Sequence, residues 1–360
     1  MPDNNAFETE GKPVKLYNRE WTRREIEARV GRIEQIGGVQ RMRGTEGMED
    51  AVEFIRVRTG AGLSYEVLPS RGMDIGLCEY AGVPICWLSP GGIAHPAYYD
   101  AQRTEWLRTA AGGLLMTCGL MNVGSACEEE GRQYGLHGRI HHLPARHVAA
   151  AGNWIGDEYE IGVKGTIDET TIFGDHLRLT REIRSSLGEN VIRIRDVVEN
   201  VGFTRAAHMI LYHFNFGFPL MDERTIVECP EAAVSSRGHR AAADGWGRWQ
   251  APEPDTEEQV FFHRDIRTDS KPIARIVNDR FPLCSGESQS VCVELTWDKS
   301  RLPNLVQWKM PGQGIHVLGL EPANCFVEGR AAERAQGTLV MLEPGESKLY
   351  ELELAVRTRK

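Results

Sequence analysis

Apolar and polar residues alternate along much of the chain, with the period of two that is typical of strands packed on one face. Residues 52–70 alternate on both sides of a glycine-containing turn, which predicts a hairpin. Strand patterns dominate from residue 148 onward, in segments bounded by Gly, Asp or Asn: 158–170, 176–188, 190–202, 208–220, 289–298, 314–322 and 337–356. Short strands at regular spacing predict an all-β fold, either a sandwich or a barrel.

Helical patterns are few and short. Residues 19–30 and 100–111 predict two helices, and the Pro- and acid-rich residues 250–259 predict an exposed loop. Residues 1–14 have few apolar anchors and predict a flexible N-terminal arm. No repeat or linker divides the remainder, so we expect residues 15–360 to form one large antiparallel domain.

The composition argues against several classes of protein. The 42 Lys and Arg residues against 51 Asp and Glu residues give a net charge of −9, and no basic stripe indicates a nucleic-acid partner. No apolar run approaches the roughly 18 residues of a membrane helix, and the first twenty residues lack a secretory signal. Eight cysteines without a CxxC pair are typical of small buried side chains in a reducing compartment, so we expect a cytoplasmic protein.

Histidines are the most conspicuous chemical feature. Eleven occur, and the densest group, GLHGRIHHLPARH, contains His137, His141, His142 and His147. On a strand, His137 and His141 would share a face and permit metal ligation. Neither a nearby Cys nor an HExxH motif accompanies the group, so no metal site is predicted. Glycine-rich phosphate motifs are absent, so no nucleotide cofactor is predicted either.

Other polar residues stand in apolar surroundings. His213 lies within LYHFNFGF, where a lone histidine is typical of the core. Glu321 follows the apolar run HVLGL, where a carboxylate is costly to bury without a partner. Arg71 and Asp74 flank Gly72, where a surface salt bridge is the simple explanation. Taken singly, each residue has a purely structural explanation.

Five segments, taken in order, carry a resemblance: LPSRGMDIG (68–76), GGLLMTCGLMNVG (112–124), YGLHGRI (134–140), LYHFNFGFPL (211–220) and GLEPANCFVEGR (319–330). They resemble the galactose mutarotase-like (aldose 1-epimerase) superfamily, and most closely its bacterial branch of aldose epimerase-like proteins. The resemblance covers roughly residues 50–356. It implies a large antiparallel β-supersandwich with a few short helices and an open sugar cleft on one sheet.

The resemblance also implies roles for individual residues. Glu321 matches the base that removes the proton of the anomeric hydroxyl, and His213 matches the acid that protonates the ring oxygen. His137 matches a histidine that binds and polarises the sugar, and Arg71 matches an arginine that contacts it. Ring opening, bond rotation and reclosure then interconvert the anomers. The implied protein is a cofactor-free isomerase whose partner is a small carbohydrate, a free aldose or a sugar acid.

Two departures from the family pattern concern the substrate. Tyr212 replaces the usual Asn before His213, and Arg139 replaces the second glycine of the family's LHGG motif. Arg139 together with Arg71 would suit a substrate that carries a carboxylate or phosphate, because arginine binds both groups bidentately. A local ion pair between Arg139 and an acidic residue is the alternative.

Further substrate-binding candidates follow from position alone. Asn122 offers a donor and acceptors to sugar hydroxyls. Gln307 and Trp308 lie in LVQWKMPGQG, where Trp308 offers a ring face to a sugar or belongs to the core. Asp74 and Asn324 lie within two of the motifs above.

Two other functions fit the same sequence. One is a carbohydrate-binding protein without turnover, and the other is a metal-assisted isomerase or lyase that acts on a keto sugar through His137, His141 and Glu321. Exposed sheet edges would also permit a homodimer.

Overall fold

Strands dominate the computed structural model, which describes residues 12–239, 245–268 and 270–359. Residues 1–11 of the predicted arm lie outside this range, and Val14, near its end, is buried. The strands are β1 (Val14–Leu16), β2 (Arg19–Trp21), β3 (Gly38–Arg43), β4 (Glu53–Arg58), β5 (Leu63–Leu68), β6 (Asp74–Tyr80), β7 (Val83–Pro84), β8 (Trp87–Leu88), β9 (Gly112–Gly113), β10 (Leu115–Leu120), β11 (Cys127–Glu129), β12 (Arg132–Tyr134), β13 (Arg146–Ile155), β14 (Glu158–Thr170), β15 (His176–Ser186), β16 (Val191–Asn200), β17 (Ala206–Gly217), β18 (Ile226–Glu228), β19 (Ala233–Ser236), β20 (Gln259–Arg264), β21 (Ile273–Pro282), β22 (Ser288–Trp297), β23 (Asn304–Gly312), β24 (Ile315–Ala323), β25 (Val340–Leu342) and β26 (Ser347–Thr358).

Helices are short. They are α1 (Arg23–Glu27), α2 (Arg330–Gln336) and the 3-10 turns Ile33–Gln35, Gly47–Glu49, Pro96–Tyr98, Glu105–Arg108, Ile140–His142 and Arg237–His239. None of the helices in the described part of the chain has the length and apolar character needed to cross a membrane.

Two large antiparallel sheets enclose one apolar core. The first sheet has the order β19-β20-β23-β24-β17-β10-β6-β5-β4-β3, with β7 beside β6 and β25 beside β17. The second has the order β13-β14-β15-β16-β26-β22-β21-β18. Buried side chains from both sheets, such as Phe214 and Trp297, belong to the same core cluster. The predicted all-β sandwich is therefore confirmed.

Most of the predicted elements are present, one is shorter than predicted, and one is wrong. Of the helix predicted over residues 19–30 only Arg23–Glu27 are helical (α1), because Arg19–Trp21 pair with β1 as β2. The hairpin at 52–70 is β4 and β5, and the alternating segment 158–170 is β14 from end to end. Residues 100–111 do not form the predicted helix, because only Glu105–Arg108 make a 3-10 turn. Trp106 is buried there while Leu107 is 63% exposed, so the apolar residues do not form one helical stripe.

The central strand β17 is covered on both faces. All twelve of its residues are buried. Tyr212 and Phe214 point into the core between the sheets, whereas Leu211 belongs to a second apolar cluster on the other face of the first sheet. Because side chains alternate along a strand, His213 lies on the same outer face as Leu211. The long apolar run around His213 is therefore that of a strand buried on both faces.

A buried ionic network joins the two sheets. Arg181 of β15 donates to Asp196 of β16 (Nη2 to Oδ2, 2.6 Å) and to Asp74 of β6 (Nη1 to Oδ1, 2.7 Å). All three side chains are fully buried. The hydroxyl of Tyr212 donates to Asp196 at 2.7 Å, so the network reaches β17 beside His213. Asp74 is thus an interior ion-pair partner and does not form the predicted surface salt bridge.

We predict that Arg181→Leu destabilises the protein by about 3–5 kcal/mol, because two buried carboxylates lose their cation. Arg178→Leu on the same strand is the control, since Arg178 pairs with Asp168 on a partly exposed face. That change costs below about 1 kcal/mol. Urea unfolding at pH 7 measures both losses, and equal losses would contradict the prediction.

Candidate functional site

His213 and Glu321 meet on the outer face of the first sheet. They lie on the paired strands β17 and β24, and Nε2 of His213 is 3.2 Å from Oε1 of Glu321. The two residues are only 6% and 2% exposed, so both side chains are almost fully shielded from solvent. Their atoms are close but not aligned as a hydrogen bond, and Glu321 Oε1 has no hydrogen-bond partner in the described structure.

Gly319 makes room for this pair. A Cβ at residue 319 would lie 2.5 Å from Oε1 of Glu321 and 3.2 Å from Cε1 of His213. Trp308 on β23 is the cross-strand partner of Gly319, and its ring centroid is 5.5 Å from that of His213. Trp87 packs edge-on against Trp308 at 6.2 Å. Two half-buried tryptophans therefore border the acid–imidazole pair.

His137 completes the group of three residues that the resemblance implied. It lies in a loop rather than on a strand, in the left-handed region with a φ of 55°. Its Nδ1 accepts a hydrogen bond from the backbone N–H of Gly124 (3.3 Å), which leaves the proton on Nε2. The ring lies 6.0 Å from His213 and 5.0 Å from Trp106. The structure brings His137, His213 and Glu321 together.

Burial favours the neutral forms of all three groups. It lowers the pKa of His213 to about 3 and the pKa of His137 to about 4. It raises the pKa of Glu321 well above its usual value, and the charge of Glu258 raises it further. Burial therefore favours the form of the pair in which the proton is on Glu321 and His213 is neutral.

Arg237 and Glu258 border the site, and no sequence motif indicated them. Trp308 donates through Nε1 to Glu258 at 3.1 Å. Arg237 lies 3.8 Å from Glu258 and donates to Glu328 at 2.9 Å. The positive charge of Arg237 lowers the pKa of Glu321 and so opposes the effect of burial. These residues come from distant parts of the chain, so only the fold reveals their proximity.

Several predicted substrate-binding side chains are occupied with internal contacts. Asn122 donates to the carbonyls of Ser125 and Gly135 and accepts from the backbone N–H of Arg330, which fixes the loops around His137. Asn324 accepts from the backbone N–H of Ile210 at 2.8 Å and so helps to join β24 to β17.

Gln307 and the two predicted arginines also differ in their surroundings. Gln307 contacts His263 at 3.1 Å and is paired across the strands with core residue Leu320, so it lies on the sheet face opposite Trp308. Arg71 is fully buried, whereas Arg139 is exposed, 5.9 Å from the ring centroid of Tyr99. Arg139 makes no ion pair with any described residue.

The proposed metal ligands do not form a set. No group of three or more His, Cys, Asp or Glu side chains in the described ranges has an arrangement that could hold a metal ion. His141 instead contacts Asp74, with 2.6 Å between Nδ1 and Oδ2.

Solved structures share this architecture. A "putative aldose 1-epimerase" from Klebsiella pneumoniae has a TM-score of 0.80 at 24% identity, covering 88% of this chain and 83% of that one. The Slr1438 protein from Synechocystis sp. PCC 6803 has a TM-score of 0.63 at 18% identity, covering 88% and 100%. Galactose 1-epimerase from Lactobacillus acidophilus has a TM-score of 0.55 at 12% identity, covering 90% and 100%.

The fold class is therefore the galactose mutarotase-like sandwich, as the sequence resemblance implied. Residues 49–356 match the family model DUF4432, described as a domain of unknown function, and the chain belongs to that family. A search of curated proteins gives no match.

We predict that Gly319→Ala forces the carboxylate of Glu321 away from His213, because the added methyl group takes its place. Gly162→Ala on β14 is the control, since nothing lies within 4 Å of a Cβ there. Imidazole ¹H–¹⁵N spectra should show altered His213 shifts in Gly319→Ala only. Unchanged His213 signals in that variant would contradict the steric reading.

We further predict that His213 contributes to acid destabilisation. Its pKa is about 3 in the folded state against about 6.5 when unfolded, so below pH 6.5 only the unfolded state binds this proton. Stability then falls as the pH falls, by up to about 1.4 kcal/mol per pH unit from this residue. His213→Asn should flatten the slope of unfolding free energy between pH 6 and 4. An identical slope would contradict the buried neutral imidazole.

Proposed function

We propose that the protein is a mutarotase that interconverts the anomers of a free aldose or sugar acid. The observation that carries this proposal is the buried pair of His213 and Glu321, with 3.2 Å between Nε2 and Oε1. The similarity of the fold to a galactose 1-epimerase supports it. Eight unpaired cysteines suit action in the cytoplasm.

Proton accounting explains why such a pair suits the reaction. Ring opening removes a proton from the anomeric hydroxyl and delivers one to the ring oxygen, so the pair holds one mobile proton before and after the step. Moving the resting proton from Glu321 to His213 creates a carboxylate base and an imidazolium acid. No proton needs to be exchanged with solvent, which suits two groups that are almost fully buried.

Arg237 biases the pair toward its reactive form. Its positive charge favours the Glu321 carboxylate, while burial favours the neutral acid. The two opposing influences keep the ionic and neutral forms of the pair closer in energy than burial alone would. Arg237 therefore acts as a positioning charge and not as a proton carrier.

The surrounding rings suit a sugar. Trp308 is half-buried beside His213 and presents an aromatic surface, which binds the apolar face of a pyranose. The Nε2–H of His137 is free to donate to a hydroxyl, because its Nδ1 is already occupied by Gly124.

We predict that Glu321→Gln and His213→Asn each slow enzyme-dependent anomer exchange by about 100-fold or more, because each removes a general acid or base. Saturation-transfer NMR on a panel of aldoses and sugar acids measures the rate. His263→Asn is the matched control, since His263 is a buried histidine on the opposite face of the sheet. It should leave the rate unchanged.

Three results would redirect the proposal. Full activity of Glu321→Gln would contradict the assigned role. Sugar binding by the wild type without acceleration would favour a carbohydrate-binding protein. Loss of activity on chelation would favour the metal-assisted isomerase or lyase.

A further inference from the structure

Four buried polar atoms without partners lie in one group of side chains beside the site. They are Nε of Arg71, Nε1 of Trp106, Nε2 of His141 and Nδ1 of His142. We name these four residues the inner cluster. Each is at most 5% exposed. Buried polar atoms are nearly always hydrogen-bonded, so four orphans in one place indicate a missing polar ligand or water.

The members of the inner cluster touch one another. The ring of Trp106 lies 5.8 Å from that of His141 and 5.9 Å from that of His142, and the two imidazoles are 4.9 Å apart. Arg71 donates through Nη2 to the carbonyl of Thr109 at 2.6 Å, and His142 contacts the same carbonyl at 3.3 Å. The orphaned atoms therefore belong to one packed unit.

Arg71 gives this unit a buried positive charge. Its side chain donates to the carbonyls of Ala94 and Thr109 but forms no ion pair with a described residue. Burial lowers its pKa only to about 10, so it stays protonated at neutral pH. Asp74 attracts it through space, but the oxygens of Asp74 are occupied by other donors. Burying a cation without a contacting anion costs free energy, so a bound anion would stabilise Arg71.

His141 adds an acceptor. Asp74 receives the N–H and O–H groups of Thr117, the guanidinium of Arg181 and Nδ1 of His141, so both of its oxygens face donors. Nδ1 of His141 therefore carries the proton, and Nε2 presents a lone pair. This lone pair is one of the four orphans and suits a hydroxyl donor.

The inner cluster adjoins the proposed catalytic pair. The ring centroids of Trp106 and His137 are 5.0 Å apart, and those of His137 and His213 are 6.0 Å apart. The carboxylate of a uronic acid stands on C5, the carbon bonded to the ring oxygen, so a ligand whose ring oxygen faces His213 can turn this carboxylate past His137 toward Trp106.

We propose that the inner cluster binds the carboxylate end of a sugar acid, which makes a uronic acid the substrate class. Nε–H of Arg71 and Nε1–H of Trp106 donate to the carboxylate, and Nε2 of His141 accepts from a neighbouring sugar hydroxyl. A neutral aldose offers no negative charge to Arg71. This assignment rests on the proposed mutarotase function and specifies its substrate.

Calorimetry with matched sugars tests the proposal. D-glucuronate and D-galacturonate should bind the wild type at least about tenfold more tightly than D-glucose and D-galactose, because hydrogen bonds to charged groups are strong. Trp106→Phe keeps an aromatic side chain but removes the Nε1–H donor, so it should reduce the preference for uronates about tenfold. His263→Asn should keep the wild-type preference. Thermal unfolding of each variant confirms that it is folded.

Other outcomes overturn the proposal. Equal affinities for acids and neutral sugars, or a preference unaffected by Trp106→Phe, would mean that only water fills the inner cluster. Binding of acetate as tight as that of uronate would mean an adventitious ion only.

Anomer exchange separates this proposal from the proposed function. If the protein accelerates anomer exchange of neutral aldoses and shows no preference for uronates, the proposed mutarotase function stands and the proposed carboxylate site is wrong. Uronate binding that weakens in Trp106→Phe, without any acceleration, retains the acid site and overturns the mutarotase.

Discussion

One buried guanidinium group, that of Arg181, fixes the residues that position the candidate site. Arg181 joins the second sheet to the first through Asp196 and Asp74, and all three are fully buried. Asp74 orients His141, and Asp196 receives the hydroxyl of Tyr212, the residue before His213. Charges buried at this depth are costly unless every one is paired, so the network tolerates few alternative arrangements. It therefore restricts the registers in which β6, β15, β16 and β17 can meet.

The same low dielectric acts differently on the two sides of β17. On the inner side, Asp196 accepts hydrogen bonds from Arg181 and Tyr212. On the outer side, His213 and Glu321 have each other and no saturating donors, so burial drives both toward neutrality. Asp196 is surrounded by donors that hold it in place, whereas His213 and Glu321 can pass a proton between them. Strand β17 thus separates Asp196, which has a structural role, from the pair of His213 and Glu321, which can take part in proton transfer.

The sequence predicted the sheets better than the loops. The segment 158–170 alternates strictly because β14 has one face on the core, and its limits were predicted correctly. Residues 100–111 gave a wrong helix, because only Glu105–Arg108 form a 3-10 turn and the apolar Leu107 within it is exposed. The order of motifs led to His137, His213 and Glu321, but it also selected Asn122, which the structure uses to hold loops. Gly319 makes room for the carboxylate of Glu321, and the charge of Arg237 acts on that carboxylate. Both effects arise from tertiary contacts, which no local sequence pattern reveals.

The distribution of unsatisfied polar atoms is itself informative. The described residues contain nine buried side-chain polar atoms without a hydrogen-bond partner, and six of them belong to the inner cluster or to His213 and Glu321. By contrast, the oxygens of Asp74 and Asp196 are well supplied with donors. A fold that supplies four donors to one carboxylate is not short of donors in general. Unsatisfied atoms concentrated in one region therefore mark where the atoms of a ligand complete the structure.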